Sequence, residues 1–77
     1  MGVEFIDYLA KSLVSNPGAV SVVERQGEGG IVVELSVDPG DVGRVIGKQG
    51  RIARAMRTLL NAVDTGDGVR YSLEIVG

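Results

Sequence analysis

The chain has 77 residues, no cysteine, no histidine and a formal net charge of −2. That length leaves room for one hydrophobic core. The missing residue types exclude disulfides, thiolate or imidazole metal sites and the commonest catalytic bases and nucleophiles. A pI of about 4.9 excludes a general nucleic-acid coat, which would be basic throughout. A core this small only just offsets chain entropy, so self-association or a partner protein is expected. No run approaches the roughly 20 apolar residues of a membrane span. The first residues, Met1 to Ile6, lack a charged n-region and an apolar h-region, and Ile6 stands where N-myristoylation needs Ser or Thr. The expectation is a soluble cytoplasmic protein with no membrane partner.

In chain order, Ile6, Leu9 and Leu13, with Phe5 and Val14 beside them, have helical spacing over residues 3 to 15. Asn16-Pro17-Gly18 stops that helix. A β-branched strand opens at Val20 and runs to about Gln26, and Gly27-Glu28-Gly29-Gly30 forms a turn. In the next strand Ile31, Val33, Leu35 and Val37 alternate with Val32, Glu34 and Ser36. The second arm of this hairpin is the more apolar, as suits a central strand.

Asp38-Pro39-Gly40-Asp41 reads as a helix start: Asp38 caps, Pro39 fits the first helical position and Asp41 favours the positive end of the dipole. A short helix carrying Val42, Val45 and Ile46 runs to Gly47. After Gly50 a longer helix reaches about Val63, with Ile52, Met56, Leu59, Leu60 and Val63 on its apolar side. Asp64 to Gly68 is a polar loop, and Val69 to Val76 is the last strand, alternating through Tyr71, Leu73 and Ile75. The order α-β-β-α-α-β predicts an α+β domain spanning 1–77. Its first two strands pair antiparallel and its last two, joined through two helices, pair parallel, giving a mixed three-stranded sheet with three helices on one face.

Charge is concentrated in one place. Arg44, Lys48, Arg51, Arg54 and Arg57 are five of the eight basic residues, and no acid occurs between Asp41 and Asp64. The window carries +5 and the remainder −7, and screening confines each charge to roughly 10 Å at ordinary salt. Within the window lies Gly47-Lys48-Gln49-Gly50. Two glycines at that spacing between helices make a tight exposed turn, whose amides and following helix N-terminus form a ready anion site. Lys48 offers a point charge, and Gln49 a donor for phosphate or a base edge. Arg51, Arg54 and Arg57 are each rotated roughly 60° from the last on an ideal helix. A solvated helix face is the plain account of such a row, but solvated faces mix signs and this one holds no acid. The anion this pattern fits is the backbone of a single-stranded nucleic acid.

Val45-Ile46-Gly47-Lys48-Gln49-Gly50-Arg51, set between two helices in this element order, resembles the K-homology (KH) signature, with a GxxG loop at 47–50. The helix pair after a central strand, followed by a parallel strand, resembles the type II KH fold. Size and N-terminal pattern are similar to the KhpA family of small bacterial single-KH proteins. The resemblance implies an RNA-binding protein, an RNA chaperone or post-transcriptional regulator, whose groove holds about four unpaired nucleotides. It implies a homodimer, or a heterodimer with a larger KH protein of the KhpB kind. Carried over by position, Gly47, Lys48, Gln49 and Gly50 are the clamp, with Arg44, Arg51 and Arg54 beside it and Ile46 and Ile52 facing the groove. Val42 and Val45 are read mainly as core. Ala53 stands where the signature usually has a large aliphatic, and Ile52 either fills that space or faces the groove. The 64–69 segment matches the variable loop, where Asp64 and Asp67 would narrow the cationic track.

No cofactor, metal site or catalytic residue is expected. Gly43-Arg44-Val45-Ile46-Gly47-Lys48-Gln49 superficially resembles a P-loop, but it has too few residues between its glycines and Gln49 replaces the Mg²⁺-binding hydroxyl. Glu34 and Glu74 are read as surface residues on different strands. Phe5, Tyr8 and Tyr71 are too few and too scattered for the strand-aromatic stacking of an RNA-recognition motif. The rival to RNA binding is a KH scaffold whose main role is dimerisation or docking on a partner protein, with one or two of Leu59, Leu60 and Val63 at the interface.

Overall fold

The computed structural model describes residues 3–62 and 68–77. Helix α1 (Glu4–Leu13) is followed by strands β1 (Ser21–Gln26) and β2 (Ile31–Ser36), helices α2 (Val42–Ile46) and α3 (Arg51–Ala62), and strand β3 (Tyr71–Val76). Short 3₁₀ turns at Pro17–Ala19, Pro39–Asp41 and Lys48–Gly50 join them. Helix α1 ends at Leu13, short of the expected residue 15, and Pro17 opens its own turn instead of merely stopping the helix. The sheet order is β1-β2-β3, antiparallel then parallel, as the element order predicts for a type II KH fold. Val63 and the Asp64–Asp67 stretch of the expected variable loop lie outside the described residues.

Strand alternation sends Val33 and Leu35 of β2, and the partners Leu73 and Ile75 on β3, to the helix-covered face. They meet Ile6 and Ala10 of α1, Val45 of α2, and Met56 and Leu60 of α3 in one core, in which most of these side chains are fully buried. Burial of each large aliphatic contributes about 1.5–3 kcal/mol. Leu60 is therefore a core residue. The candidate interface residue on that turn is Leu59, which is 48% exposed.

The opposite face of the sheet is open. There Glu34 and Glu74 stand in register on neighbouring strands, an unfavourable pairing of like charges. Arg25 resolves it from β1: its guanidinium reaches across β2 to both carboxylate oxygens of Glu74 at 2.9 Å and lies 3.5 Å from Glu34. At the free edge of β3, the Asn61 side-chain amide donates to the Tyr71 carbonyl at 3.0 Å and accepts from the Tyr71 N–H at 3.1 Å. The end of α3 is thereby tied to the start of the strand.

Candidate nucleic-acid interface

The loop is positioned from both sides. Asp38 accepts from the Gly40 N–H at 2.9 Å, and Pro39 opens the turn, as the sequence predicts. Asp41 departs from its expected role. It is buried, and instead of merely facing a helix dipole its carboxylate accepts from the Ser15 N–H and Asn16 N–H, both at 3.1 Å, and from the Ser15 hydroxyl at 2.9 Å. Arg44 Nε lies 3.1 Å from the same carboxylate. The Ser15 amide bond leads the effects that hold the Asp41 pKa below its ordinary value, with the Ser15 hydroxyl, the Asn16 amide and the Arg44 charge adding to it against the cost of burial. The segment after α1 is thus fastened to the helix that carries the loop.

Helix α2 ends where the Gly47 N–H bonds the Gly43 carbonyl at 2.9 Å. Gly47 then turns out at φ 78, ψ 171, a region essentially reserved for glycine. A Cβ there would stand 2.7 Å from Ile52 Cγ1. The Gly50 N–H closes back on the Gly47 carbonyl at 3.1 Å, and the Arg51 N–H on that of Lys48. Between them the amides of Lys48 and Gln49 have no backbone partner among the described residues. Gln49 is the one non-glycine residue at positive φ among the described residues (φ 57), a conformation that costs about 1–2 kcal/mol. Gly50 also has positive φ (73), and a Cβ on it would meet no atom within 4 Å. The loop therefore presents an exposed lysine, an exposed glutamine, two amides without a backbone partner and clear space above its second glycine.

The other predicted site residues fall into three groups. Arg51, Arg54 and Arg57 are exposed along α3. Arg54 donates through Nη2 to the Gln49 carbonyl at 3.2 Å, bracing the loop tip while keeping its charge beside it. Among the described residues no carboxylate pairs with Lys48, Arg51, Arg54 or Arg57, whereas Arg44 is engaged by Asp41. Ile46 is half-buried. Ile52 is half-buried as well, but it packs against both Gly47 and the core. It stands against Gly47 at the start of the loop. Val45 is buried and Val42 packs on the core, as read. Asp41 and Asn61 were not legible as positioning residues. Their partners lie 25 or 26 and 10 residues away, and no local spacing announces either contact.

A family profile described as the KhpA/KhpB KH domain matches residues 3–75. The "RNA-binding protein KhpA" of Treponema pallidum (strain Nichols) is 52% identical over 73 residues, covering 95% of this chain and 91% of the relative. That of Aquifex aeolicus (strain VF5) is 51% identical, with 95% and 92% covered. That of Caldanaerobacter subterraneus subsp. tengcongensis is 49% identical, with 95% and 97% covered. No solved structure matches. Among the described residues no helix is long and apolar enough to cross a membrane.

Proposed function

This chain belongs to the KhpA/KhpB KH-domain family, and on that premise we propose that it is a cytoplasmic RNA-binding protein that holds a short single-stranded RNA segment on its 47–50 loop. The observation that carries this reading is the exposed Lys48-Gln49 tip with its two unpartnered amides. A phosphate lies against those amides and the positive end of α3. Lys48 and Arg51 neutralise it and its neighbour, and Arg54 adds charge while holding the tip in shape. The clear space at Gly50 lets the sugar-phosphate chain approach the backbone, and Ile46 supplies apolar contact to a base. Phosphate contacts of this kind position a strand without specifying its sequence, which suits an RNA chaperone or post-transcriptional regulator serving many transcripts. No catalytic role is proposed.

The test is a gel-shift titration with a short unstructured RNA. The double substitution Lys48→Asp, Gln49→Asp abolishes binding and leaves the circular dichroism spectrum unchanged, because both side chains are exposed. Undiminished binding by this variant removes the loop from the mechanism.

A second reading has its own support. Val23 and Val76 are 52% and 40% exposed on the open face of the sheet, and the matching family profile covers the KH domains of both KhpA and KhpB. On this reading the chain forms a homodimer or pairs with a larger, KhpB-like KH protein, and docking is its main role. RNA titration separates the two, since a pure docking module gives no response.

A further inference from the structure

The exposed side of α3 carries a feature of which the clamp uses only the two arginines. Arg51, Arg54, Ala55, Thr58 and Leu59 line an open recess of about 460 Å³. The lining follows helical geometry: Arg51, Ala55 and Leu59 fall four apart, Arg54 and Thr58 lie alongside, and the row extends about 12 Å along the axis. Its floor is the Ala55 methyl and the Leu59 side chain, both exposed. The lining is almost wholly apolar, so Arg51 and Arg54 border it with their aliphatic stems, and the Arg54 guanidinium is bonded to the clamp at the Gln49 carbonyl.

We infer that this recess is a subsite for a nucleotide beyond the four held by the clamp, in which a base lies flat on Ala55 and Leu59 and Arg51 or Arg54 holds the adjoining phosphate. The inference rests on the RNA-binding reading above and extends it. The charge argues for this occupant. The recess lies in the acid-free window, and among the described residues no carboxylate pairs with either of its arginines. Continuity argues for it too, because a strand leaving the loop past Gly50 meets Arg51 and Arg54 first. An apolar shelf bordered by two arginine side chains accepts the face of any base, with their charges within reach of the adjoining phosphate. The Thr58 hydroxyl both donates and accepts, so it favours no particular base edge. The subsite therefore adds affinity with length and little sequence preference.

The experiment measures affinity for oligouridylates lengthened one nucleotide at a time from a tetramer, with the wild type, Leu59→Ser and Ala55→Glu. The expected wild-type result is a step of about fivefold as the strand outgrows the clamp, the contribution of covering roughly 40 Å² of apolar surface. Both variants bind the tetramer as the wild type does, or in the case of Ala55→Glu slightly more weakly, and lose the step. Because both positions are exposed, circular dichroism should show the variants folded. A step that persists in Leu59→Ser overturns the inference, as does a wild type that binds the tetramer but gains nothing from length. Leu59→Ser that turns a sedimenting dimer into a monomer without touching the length dependence also overturns it, assigning the recess to a protein interface. A tetramer that the wild type does not bind at all removes the clamp, and the subsite with it.

Discussion

Ile52 stands where a Cβ on Gly47 would have to go: its Cγ1 lies 2.7 Å from that position and its Cδ1 2.9 Å. The two glycines of the loop are consequently not equivalent. Gly47 is kept bare by the protein's own packing, whereas Gly50 faces open space.

Gly47→Ala should lower stability by about 1–3 kcal/mol, because the φ/ψ region it occupies is strained for any L-residue and Ile52 must also shift. Gly50→Ala should cost less in thermal denaturation yet, on the proposed reading, weaken RNA binding more per unit of stability lost, since its methyl would enter the open space proposed for the strand. Equal loss of stability in both variants, with equal loss of binding, would remove the distinction.

Salt should weaken binding in proportion to the phosphates neutralised. Lys48, Arg51 and one or two further arginines give a slope of log affinity against log salt of about −2 to −3, at roughly 0.7 per phosphate for a single strand. Arg51→Gln should flatten that slope by nearly one phosphate's share. Arg44→Gln should change it less, because Arg44 is engaged by Asp41. A flat response in the wild type would make the cationic row irrelevant to RNA.

Acid should loosen the attachment of α1 to α2. The carboxylate of Asp41 has its pKa depressed below the ordinary 3.8, so its contribution is fully present above that value. It is lost as pH falls through the lower, folded-state value. Asp41→Asn should therefore be less stable than the wild type at neutral pH, with the gap narrowing in strong acid. Melting curves across that range that stay a constant distance apart would show that the charge of Asp41 contributes nothing.

Leu60 and Leu59 are adjacent and should behave oppositely. Leu60→Ala should cost about 2–5 kcal/mol as a core truncation, and Leu60→Glu should prevent folding instead of splitting a dimer. Leu59→Ala should leave chemical denaturation nearly unchanged. Comparable losses at the two positions would mean that Leu59 is buried in solution, in a dimer or another assembly.

The fold was legible because each level of the sequence agreed with the next. Alternation at Ile31–Val37 marked the central strand, the Asp38-Pro39 start and the glycine stops marked two helices, and the pairing directions followed from connection length. Lys48 and Gln49 were legible as an exposed tip because nothing apolar lies between two glycines. What escaped was set by contacts distant in sequence. Asp41 looked like a helix-start residue because its position suits one, and its real partners, Ser15 and Asn16, are brought up only by the folding of α1. Nothing in the strand pattern singles out Arg25, although it spans the sheet. Ile52 was read as apolar by periodicity, but its contact with the bare Cα of Gly47 depends on the turn between them and no spacing announces it.

That reach of Arg25 over β2 commits its charge to Glu34 and Glu74 on the uncovered side of the sheet. On the proposed reading, the foothold for a transcript is the cluster of Lys48, Arg51, Arg54 and Arg57, whose charges no carboxylate among the described residues takes up. A foothold that small would let each molecule occupy a brief stretch and leave the rest of the strand free for ribosomes, nucleases or further copies.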